Sequence, residues 1–520
     1  MTTKVERFAE KENPFLAVVT VTGNDGHYPV RIIESGTMLS SFSIRQTVGL
    51  VAGPLLFIAV LIMPQPEGMS VESSRVAAIA LLMACFWMAE TVPIPATAML
   101  PIFLFPLLDI MPTGTTTLAY GNEILFLFMG GFLIAVAMQK WNLHRRIALS
   151  VIDKVGSSPN RLVMGFMLAT ALLSMWISNT ATCVMMTPVA IAVVEQTRLE
   201  RHKQIGEHYN FGTALMLGIA YSSSAGGVST LVGTPPNAIL IGIIDTVYGY
   251  EISFVDWMKL GLPVSICMLI LVWVVLTKVM YRMGDADAAS EQAGQHIRQQ
   301  LDAMGPMSSE EKKVALLFFF VAMSWILRGL FTPAWLDFVS DPAIAMAGSF
   351  LLFIMPAGKD KGGFILDWDT AKTIPWDIII LMGGGFALAA GFSESGLTEW
   401  LANQLTILQG IHFFVLIIVV VLFVTFLTEM TSNAATATLF IPVMGALAIS
   451  MDLHPFALMV PAALGASMAF MLPVATPPNA IVFASRQISI GQMARTGLVL
   501  NLAGGLIISM LSYLLLDQLQ

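Results

Sequence analysis

Long apolar segments recur along this chain from residue 45 onward, and they constrain its fold more than any other feature. A lipid bilayer offers no water to the backbone, so a chain can cross it only as helices or as a closed barrel. About 20 apolar residues make one helical crossing, and the sequence holds about eleven such segments. Hydrophobic residues make up 56% of the chain and charged residues only 12%, about half the charged fraction of a soluble domain. The sequence therefore predicts an all-α polytopic membrane protein.

Charge and cysteine content argue against several other classes of protein. The formal charge of -8, without a basic patch, gives no indication of nucleic-acid binding. The cysteines Cys85, Cys183 and Cys267 are far apart and form neither a disulfide framework nor a metal-binding spacing. Residues 1–44 are mixed and polar, without the apolar core of a signal peptide. We expect them to form a cytoplasmic N-terminal tail of a multi-pass protein in the plasma (inner) membrane.

Two polar motifs interrupt the apolar segments at corresponding places in the two halves of the chain. The first, SMWISNTATCVMMTP, starts at Ser174, and the second, TEMTSNAATATLFIP, starts at Thr428. Each is followed by another interruption, GTPPNAI from Gly233 and ATPPNAI from Ala475. A shift of 254 residues superimposes the first pair, and a slightly smaller shift superimposes the second. Repeated, matched interruptions of this kind indicate the binding site of a secondary transporter.

The distribution of basic residues indicates that the two halves are inverted repeats. Lys and Arg flank the first motif on both sides, whereas residues 373–485, which contain the second motif, have none. Because basic residues favour the cytoplasmic side, we expect two re-entrant hairpins that enter from opposite faces. The predicted divisions are the tail at 1–44, an extra first transmembrane helix at 45–72, inverted repeat 1 at 73–282, a cytoplasmic linker at 283–313 and inverted repeat 2 at 314–520.

The four interruptions must leave backbone groups in need of partners, because an unpaired amide or carbonyl in hydrocarbon is costly. A small dehydrated cation can bind such carbonyls together with neighbouring side-chain oxygens. The oxygens available are those of Ser174, Ser178, Asn179 and the Gly233 carbonyl at one site, and of Thr428, Asn433 and the Thr431 and Ala475 carbonyls at the other. The half-helix after each hairpin tip presents free amides and a positive dipole end, which suit an anion. Since the motifs contain no Lys or Arg, a bound anion would need co-bound cations as its counter-charge, which predicts cation-coupled transport.

These motifs, together with ETVPIPATAMLP and PWDIIILMGGGFALA, resemble those of the divalent anion/sodium symporter (DASS) family over residues 45–520. The resemblance implies a homodimer of eleven-helix protomers, each with a scaffold domain and a transport domain that moves as an elevator. It implies that sodium ions bind at one site to Ser174, Ser178, Asn179 and Gly233, and at the other to Thr428, Thr431, Asn433 and Ala475. It also implies substrate binding by Asn179, Thr180, Thr234, Asn433, Ala434, Thr476 and Pro477. Ala434 stands where many members have a second Thr, which leaves the substrate subclass open.

The resulting hypothesis is a sodium-coupled importer of C4-dicarboxylates such as succinate, malate or fumarate, with no organic cofactor and no enzymatic activity. Its expected partners are the dicarboxylate, sodium, the lipid bilayer and a second copy of the chain. Sulfate or citrate symport and sodium-independent dicarboxylate exchange are the alternatives. An intramembrane hydrolase would need a nucleophile with a His or Lys base, or a metal-binding set, among the motifs, and a channel would need a pore-lining ring. We further expect Glu429 to brace the second hairpin through backbone amides, and LFMGGFL and LMGGGFAL to serve close helix packing.

Overall fold

The computed structural model describes residues 16–23, 26–33, 43–201, 210–283, 288–331, 338–358, 362–406 and 410–515. Within these ranges, the chain from residue 43 onward is helical apart from its connections. Nine helices of the described part are long and apolar enough to cross a membrane. Shorter apolar helices accompany them at Ile94–Leu107, Asp341–Ile354, Phe413–Thr428 and Phe456–Ala466. The predicted class, a helical multi-pass membrane protein, is confirmed.

The helices follow one another in the same general order in the two halves of the chain. In the first half they are α1 (Ile44–Ile62), α2 (Val71–Ala89), α3 (Ile94–Thr97), α4 (Leu100–Leu107), α5 (Thr113–Leu118), α6 (Glu123–Lys140), α7 (Leu143–Val155), α8 (Pro159–Ser174), α9 (Asn179–Arg201), α10 (Asn210–Gly227), α11 (Pro235–Ile243) and α12 (Phe254–Val274). In the second half they are α13 (Ala288–Ala303), α14 (Ser309–Leu330), α15 (Asp341–Ile354), α16 (Trp368–Ala371), α17 (Trp376–Glu394), α18 (Leu397–Leu405), α19 (Phe413–Thr428), α20 (Asn433–Ser450), α21 (Phe456–Ala466), α22 (Pro477–Ala484) and α23 (Ile490–Leu515).

A two-stranded antiparallel hairpin precedes the helices, and the all-α prediction did not include it. β1 (Leu16–Gly23) pairs with β2 (Gly26–Ile33). The sequence of β1, LAVVTVTG, is rich in Val and Thr, whose branched side chains favour extended backbone. Part of the predicted tail at 1–44 is therefore β-structure. The first helix begins at Ile44, behind a capping box that Ser43 forms with Gln46.

The predicted linker at 283–313 contains a helix, α13, that the sequence analysis did not anticipate. Arg298 of α13 lies 2.7 Å from Asp153 of α7. In turn, Arg146 of α7 pairs with Glu311 at the start of α14 at 3.0 Å. Some of the linker's charges are therefore engaged in ion pairs, which connect α7 with α13 and with the start of α14.

The end of α6 is tied to the connection before α16. Lys140 Nζ donates a hydrogen bond to Asp367 Oδ2 at 2.6 Å, and Trp141 Nε1 donates to the Ile365 carbonyl at 2.8 Å. The hydrogen bond from Lys140 lowers the pKa of Asp367 to about 2, so this carboxylate is ionised at neutral pH. These contacts anchor the point where α6 passes into α7 on residues of the second half.

Each of the four sequence motifs interrupts a helix, as predicted. Tip 1 is the break at 175–178 between α8 and α9, and tip 2 is the break at 429–432 between α19 and α20. Break 1 is the segment 228–234 between α10 and α11, and break 2 is the segment 467–476 between α21 and α22. The two tips have the same length and the same position relative to their motifs. Four pieces of non-helical backbone therefore lie between apolar helices.

Glycines of the two GG motifs allow helices to approach closely, which confirms their predicted packing role. A methyl group on Gly130 of α6 would lie 2.7 Å from the backbone of Ala345 in α15. One on Gly384 of α17 would lie 2.2 Å from the carbonyl oxygen of Ala98. A Cβ atom does not fit at such distances without a shift of the facing backbone.

The next glycine of each motif faces break 1 in the first half and α20, the helix after tip 2, in the second half. A methyl group on Gly131 would lie 3.4 Å from Val232 in break 1, and one on Gly385 would lie 2.8 Å from Thr438 in α20. The shift of 254 residues that relates the two tips also relates Gly131 to Gly385. The two GG helices therefore place small residues against corresponding parts of the interrupted region.

Substitution of Gly384 tests this packing. We expect Gly384→Ala to destabilise the protein by about 1–3 kcal/mol through overpacking, which would lower the thermal unfolding midpoint of detergent-purified protein. Gly114→Ala in α5 is the matched control, because apart from the local backbone no atom of the described residues lies within 4 Å of its added methyl group. That change is expected to be neutral or mildly stabilising, since Ala is the better helix former. Equal midpoints for the two variants would show that the α17 contact is not tight.

Candidate functional site

Tip 1 pairs a hydroxyl with a side-chain amide across the helix break. Ser174, the last residue of α8, is fully buried, and its Oγ donates a hydrogen bond to Oδ1 of Asn179, the first residue of α9. Ser178 lies directly before Asn179, and its Oγ accepts from the Ala181 amide at 3.3 Å, as in a helix N-cap. The hydroxyl and amide oxygens of the motif therefore converge at the point where α9 starts.

Tip 2 repeats this pairing with a threonine in place of the serine. Thr428 Oγ1 lies 2.8 Å from Asn433 Oδ1 and 3.2 Å from the carbonyl oxygen of Ala466, just before break 2. Thr428 is fully buried as well. The same hydroxyl-to-amide arrangement thus occurs at both tips, in the frame that the repeated motifs predict.

Break 1 brings a backbone carbonyl to the amide of tip 1. A methyl group on Gly227 would lie 2.7 Å from Asn179 Oδ1 and 2.9 Å from the Gly233 carbonyl oxygen. Glycine at position 227 therefore leaves open the space that these two oxygens share. In addition, Thr230 Oγ1 donates a hydrogen bond to the Met175 carbonyl, which ties break 1 to tip 1. Several oxygens therefore lie close together at a motif that contains no basic residue. A hard cation prefers oxygen ligands of this kind.

The two asparagines of the Thr-Pro-Pro-Asn segments hold the unwound backbone, a role that the sequence analysis missed. Asn237 Nδ2 donates to the carbonyl of Thr230 at 2.8 Å, and Asn479 Nδ2 donates to the carbonyl of Leu472 at 3.0 Å. Trp257 of α12 donates to a further carbonyl in break 1 at 2.9 Å. Side chains therefore satisfy part of the freed backbone that we had assigned to cations. The signal for it was the equal spacing of Asn from the Pro pair in both halves.

The paired prolines begin the next helix and do not kink an existing one. Pro235 and Pro477 are the first residues of α11 and α22, where no intrahelical partner is lost by lacking an amide. Thr234 and Thr476 precede them as N-cap residues, and the Thr476 hydroxyl accepts from the Asn479 amide at 3.3 Å. Each break thus ends in a helix N-terminus.

Glu429 joins tip 2 to break 2 through a set of hydrogen bonds. Its Oε1 accepts from the amides of Phe470 and Met471 at 2.6 and 2.8 Å, and its Oε2 accepts from the amide of Leu472 at 3.0 Å. Asn501 of α23 donates to Oε1 at 2.8 Å. The side chain is almost fully buried, and these four donors satisfy both of its carboxyl oxygens. The predicted bracing through backbone amides is confirmed, and the amides belong to break 2.

The corresponding connection in the first half uses different groups. The shift of 254 residues places Met175 opposite Glu429, and here the backbone carbonyl of Met175 accepts from Thr230. The same shift places Ile177 opposite Thr431, whose hydroxyl contacts Leu427 and Thr436. The Thr431 hydroxyl is therefore engaged by neighbouring residues, and binding of an ion by the Thr431 carbonyl stays a prediction. The two halves share a geometry, but only the second half places a carboxylate in its tip.

The predicted substrate-binding residues differ in accessibility. Asn179 and Asn433 are half-buried, and Thr180 and Pro477 are exposed. Ala434, Thr234 and Thr476 are buried, as is Ala475 of the second ion site. Thr180 and Ala434 occupy corresponding positions, so the exposed hydroxyl of the first half has a buried methyl group as its counterpart. Direct contact with a solute is therefore easier for Thr180 than for Ala434.

The four breaks lie in one contiguous part of the molecule. The hairpin helix α9 of the first half packs against α22 of the second, and the hairpin helix α20 packs against α11 of the first. Each tip therefore continues into a helix that contacts the Thr-Pro-Pro-Asn helix of the opposite half. The arrangement combines oxygen-lined spaces, two helix N-termini at the tips and two more at the prolines.

Comparison with known proteins identifies relatives along most of the chain. Residues 45–516 match the family model described as the sodium:sulfate symporter transmembrane region. A protein of Staphylococcus saprophyticus named sodium-dependent dicarboxylate transporter SdcS is 43% identical over 481 residues, which cover 91% of this chain and 92% of the relative. A protein of the same name from Staphylococcus aureus is 43% identical over 478 residues, covering 91% of each chain.

Two solved transporter structures share the fold at low sequence identity. The YdaH transporter of Alcanivorax borkumensis is similar with a TM-score of 0.52 at 16% identity, over 77% of this chain and 85% of that chain. The MtrF efflux pump of Neisseria gonorrhoeae is similar with a TM-score of 0.55 at 15% identity, over 92% and 96%. At these identities the likeness concerns the fold alone. The family match and the staphylococcal relatives carry the assignment: the chain belongs to the sodium:sulfate symporter family, the divalent anion/sodium symporters that its motifs resemble.

Proposed function

We propose that this protein is a sodium-coupled secondary transporter that imports C4-dicarboxylates such as succinate, malate and fumarate. The observation that carries the proposal is the pairing of a hydroxyl with an asparagine amide at both hairpin tips, Ser174 with Asn179 and Thr428 with Asn433. The names of the staphylococcal relatives, sodium-dependent dicarboxylate transporter, support the same substrate and ion.

Sodium binds at two sites made of neutral oxygens in this proposal. The first site consists of Ser174, Ser178, Asn179 and the Gly233 carbonyl, and the second consists of Thr428, Asn433 and the carbonyls of Thr431 and Ala475. The proximity of Asn179 Oδ1 and the Gly233 carbonyl to one position beside Gly227 supports the first. Hard cations prefer such oxygen ligands, and here the ion replaces donors that the unwound backbone lacks.

The dicarboxylate binds between the tips, where the N-termini of α9 and α20 present free amides. Asn179, Thr180, Asn433, Thr234, Thr476 and the region of Pro477 supply its contacts, while Ala434 offers a methyl group where Thr180 offers a hydroxyl. Because these motifs lack Lys and Arg, bound sodium supplies most of the positive charge that faces the anion. Sodium and dicarboxylate therefore raise each other's affinity, which is the basis of coupling.

The architecture that we propose is an elevator built from inverted repeats at 73–282 and 314–520, in a homodimer with a cytoplasmic N-terminus. The matched tips, the matched breaks and the absence of Lys and Arg from the sequence at 373–485, which contains tip 2, support the inversion. The hairpins and breaks would move as one transport domain past a scaffold that includes α6 and α17. The small residues Gly131 and Gly385 face the hairpin and break elements, and they suit a surface along which that domain slides.

Sulfate transport is the second candidate, because the matching family is described as sodium:sulfate symporters. Purified protein in liposomes, with radiolabelled succinate and an imposed sodium gradient, separates the candidates. We expect unlabelled malate and fumarate to compete and sulfate and citrate not to compete. Uptake that ignores sodium and is driven by internal succinate would instead identify a dicarboxylate exchanger.

Removal of either tip amide tests the site assignment. We expect Asn179→Ala and Asn433→Ala each to lower sodium-driven succinate uptake by about tenfold or more, because each removes a proposed ion ligand and the side-chain amide that accepts a hydrogen bond from a buried hydroxyl. Asn403→Ala, at an exposed position in α18, is the matched control and should transport like the parent. Full uptake by both tip variants, at equal amounts of reconstituted protein, would refute the assignment.

Replacement of Glu429 tests whether the brace supports ion binding. In Glu429→Gln, one amide nitrogen faces backbone donors, and at least one hydrogen bond to break 2 is lost. A lost buried hydrogen bond is worth about 1–3 kcal/mol, so we expect the half-saturating sodium concentration for uptake to rise about fivefold or more. Glu72→Gln, at an exposed position in the first turn of α2, should leave the sodium curve unchanged. If the dependence of uptake on sodium concentration is unaltered in Glu429→Gln, the hydrogen bonds of Glu429 do not support ion binding.

A further inference from the structure

Arg45, the second residue of α1, connects the end of α2 with tip 2. Its Nε donates to the Met88 carbonyl at 2.9 Å, and its Nη2 donates to the Met430 carbonyl in tip 2 at 3.0 Å. Glu90 Oε1 lies 3.7 Å from the same Nη2. The Arg45 guanidinium therefore contacts both α2 and tip 2 at the junction between them, although 385 residues separate Arg45 from Met430 in the sequence.

The α1–α2 side of this junction is held together without the hairpin. Gln46 Nε2 donates to the Glu90 carbonyl at 3.2 Å, and Thr91 Oγ1 donates to the Gln46 carbonyl at 3.3 Å. A methyl group on Gly49 would lie 2.1 Å from Thr91 Oγ1, so the two helices touch closely there. Arg45 is thus fixed to the α1–α2 unit, and its bond to Met430 is the contact that crosses to the hairpin.

The corresponding residue of tip 1 is anchored in a different way. The shift of 254 residues places Trp176 opposite Met430. The Trp176 ring packs among aromatic rings, with centroid distances of 5.7 Å to Phe254, 4.9 Å to Phe318 and 6.3 Å to Trp325. The Met430 side chain is 68% exposed. At this equivalent position, tip 1 is therefore held through the Trp176 side chain and tip 2 through the Met430 backbone carbonyl.

We propose that Arg45 is a positioning residue that holds tip 2 against the α1–α2 unit in one state of the transport cycle and releases it in the other. The inference rests on the proposed function, because it needs the hairpin to move relative to α1 and α2. A guanidinium bond to a carbonyl has no apolar area to separate, so it can break and reform quickly. Glu90 remains beside the guanidinium after release, so the charge of Arg45 keeps a partner in both states.

A cysteine introduced at position 430 reports on this contact. Arg45 binds the carbonyl of Met430, so Met430→Cys retains the bond while exposing a thiol, once Cys85, Cys183 and Cys267 have been replaced. The rate of modification of purified protein by a soluble maleimide then measures how long the tip is exposed. Met430 is exposed in the state in which Arg45 binds its carbonyl, so loss of this bond should make that state less populated. We therefore expect Arg45→Gln to lower the labelling rate by about threefold to tenfold in the absence of sodium and succinate, the size of effect that a half-exposed charge-assisted hydrogen bond can have.

Arg75→Gln is the matched control, because Arg75 lies in α2, the helix that packs against α1, and donates to the Leu108 carbonyl at 2.7 Å without reaching a hairpin. It should leave the labelling rate unchanged. An unchanged labelling rate in Arg45→Gln, or an equal drop in both variants, would show that Arg45 does not hold tip 2 against the α1–α2 unit. A raised KM for succinate with unchanged labelling would instead make Arg45 an anion-steering residue and would also overturn the proposed role.

The same reporter separates this inference from the proposed function. In the parent with Met430→Cys, sodium and succinate should change the labelling rate if the hairpin moves during transport. If the parent transports but is labelled at the same rate with and without both solutes, the hairpin does not move during transport, and the proposed role of Arg45 falls with it. If the solutes change the labelling rate of the parent but Arg45→Gln is labelled like the parent, only the proposed role of Arg45 is refuted.

Discussion

Unwound backbone at membrane depth is the constraint on which the rest of this structure depends. Two hairpin tips and two Pro-Pro breaks expose amides and carbonyls where hydrocarbon offers no partner. Side chains satisfy part of them: Asn237 and Asn479 bind carbonyls of their own breaks, and Glu429 binds three amides of break 2. The oxygens that remain around Asn179 and Asn433 are those that a cation can bind. In the proposed mechanism, ion binding therefore follows from how the breaks are stabilised.

The two halves solve the same structural problem with unequal chemistry. Tip 1 is tied to its break by a neutral hydroxyl on a carbonyl, whereas tip 2 is tied by a buried carboxylate. The side chain of Trp176 is enclosed by aromatic rings, whereas Met430 is exposed. In a transporter whose halves exchange roles, such differences would make one conformation more stable than the other.

Local patterns in the sequence were sufficient to predict the long apolar helices and the places where they break, whereas the polar helix α13 of the linker was missed. Long apolar segments predict membrane helices, and a Ser-Asn pair or two consecutive prolines inside them marks an interruption, because few other reasons exist for such residues there. The bracing role of Glu429 also followed from its position beside a tip. The β1–β2 hairpin was missed because the tail was considered only for its polarity, although its Val and Thr content favours strands.

The residues that sequence reasoning missed depend on the path of the chain. Asn237 and Asn479 reach carbonyls seven residues upstream, a distance that only the unwound segment makes short. Arg45 lies outside every motif, and its partner Met430 is remote in the sequence. The contrast between exposed Thr180 and buried Ala434 likewise arises from packing, since the two positions are equivalent in the motifs.

The central claim is that neutral oxygens gather the cations that make a doubly negative solute stable midway through the membrane. Titration calorimetry of succinate into purified protein, at constant ionic strength with choline replacing sodium, tests this claim most directly. The account predicts that succinate affinity rises steeply with sodium concentration and that binding heat disappears in choline alone. Succinate binding of equal affinity in sodium and in choline would contradict it.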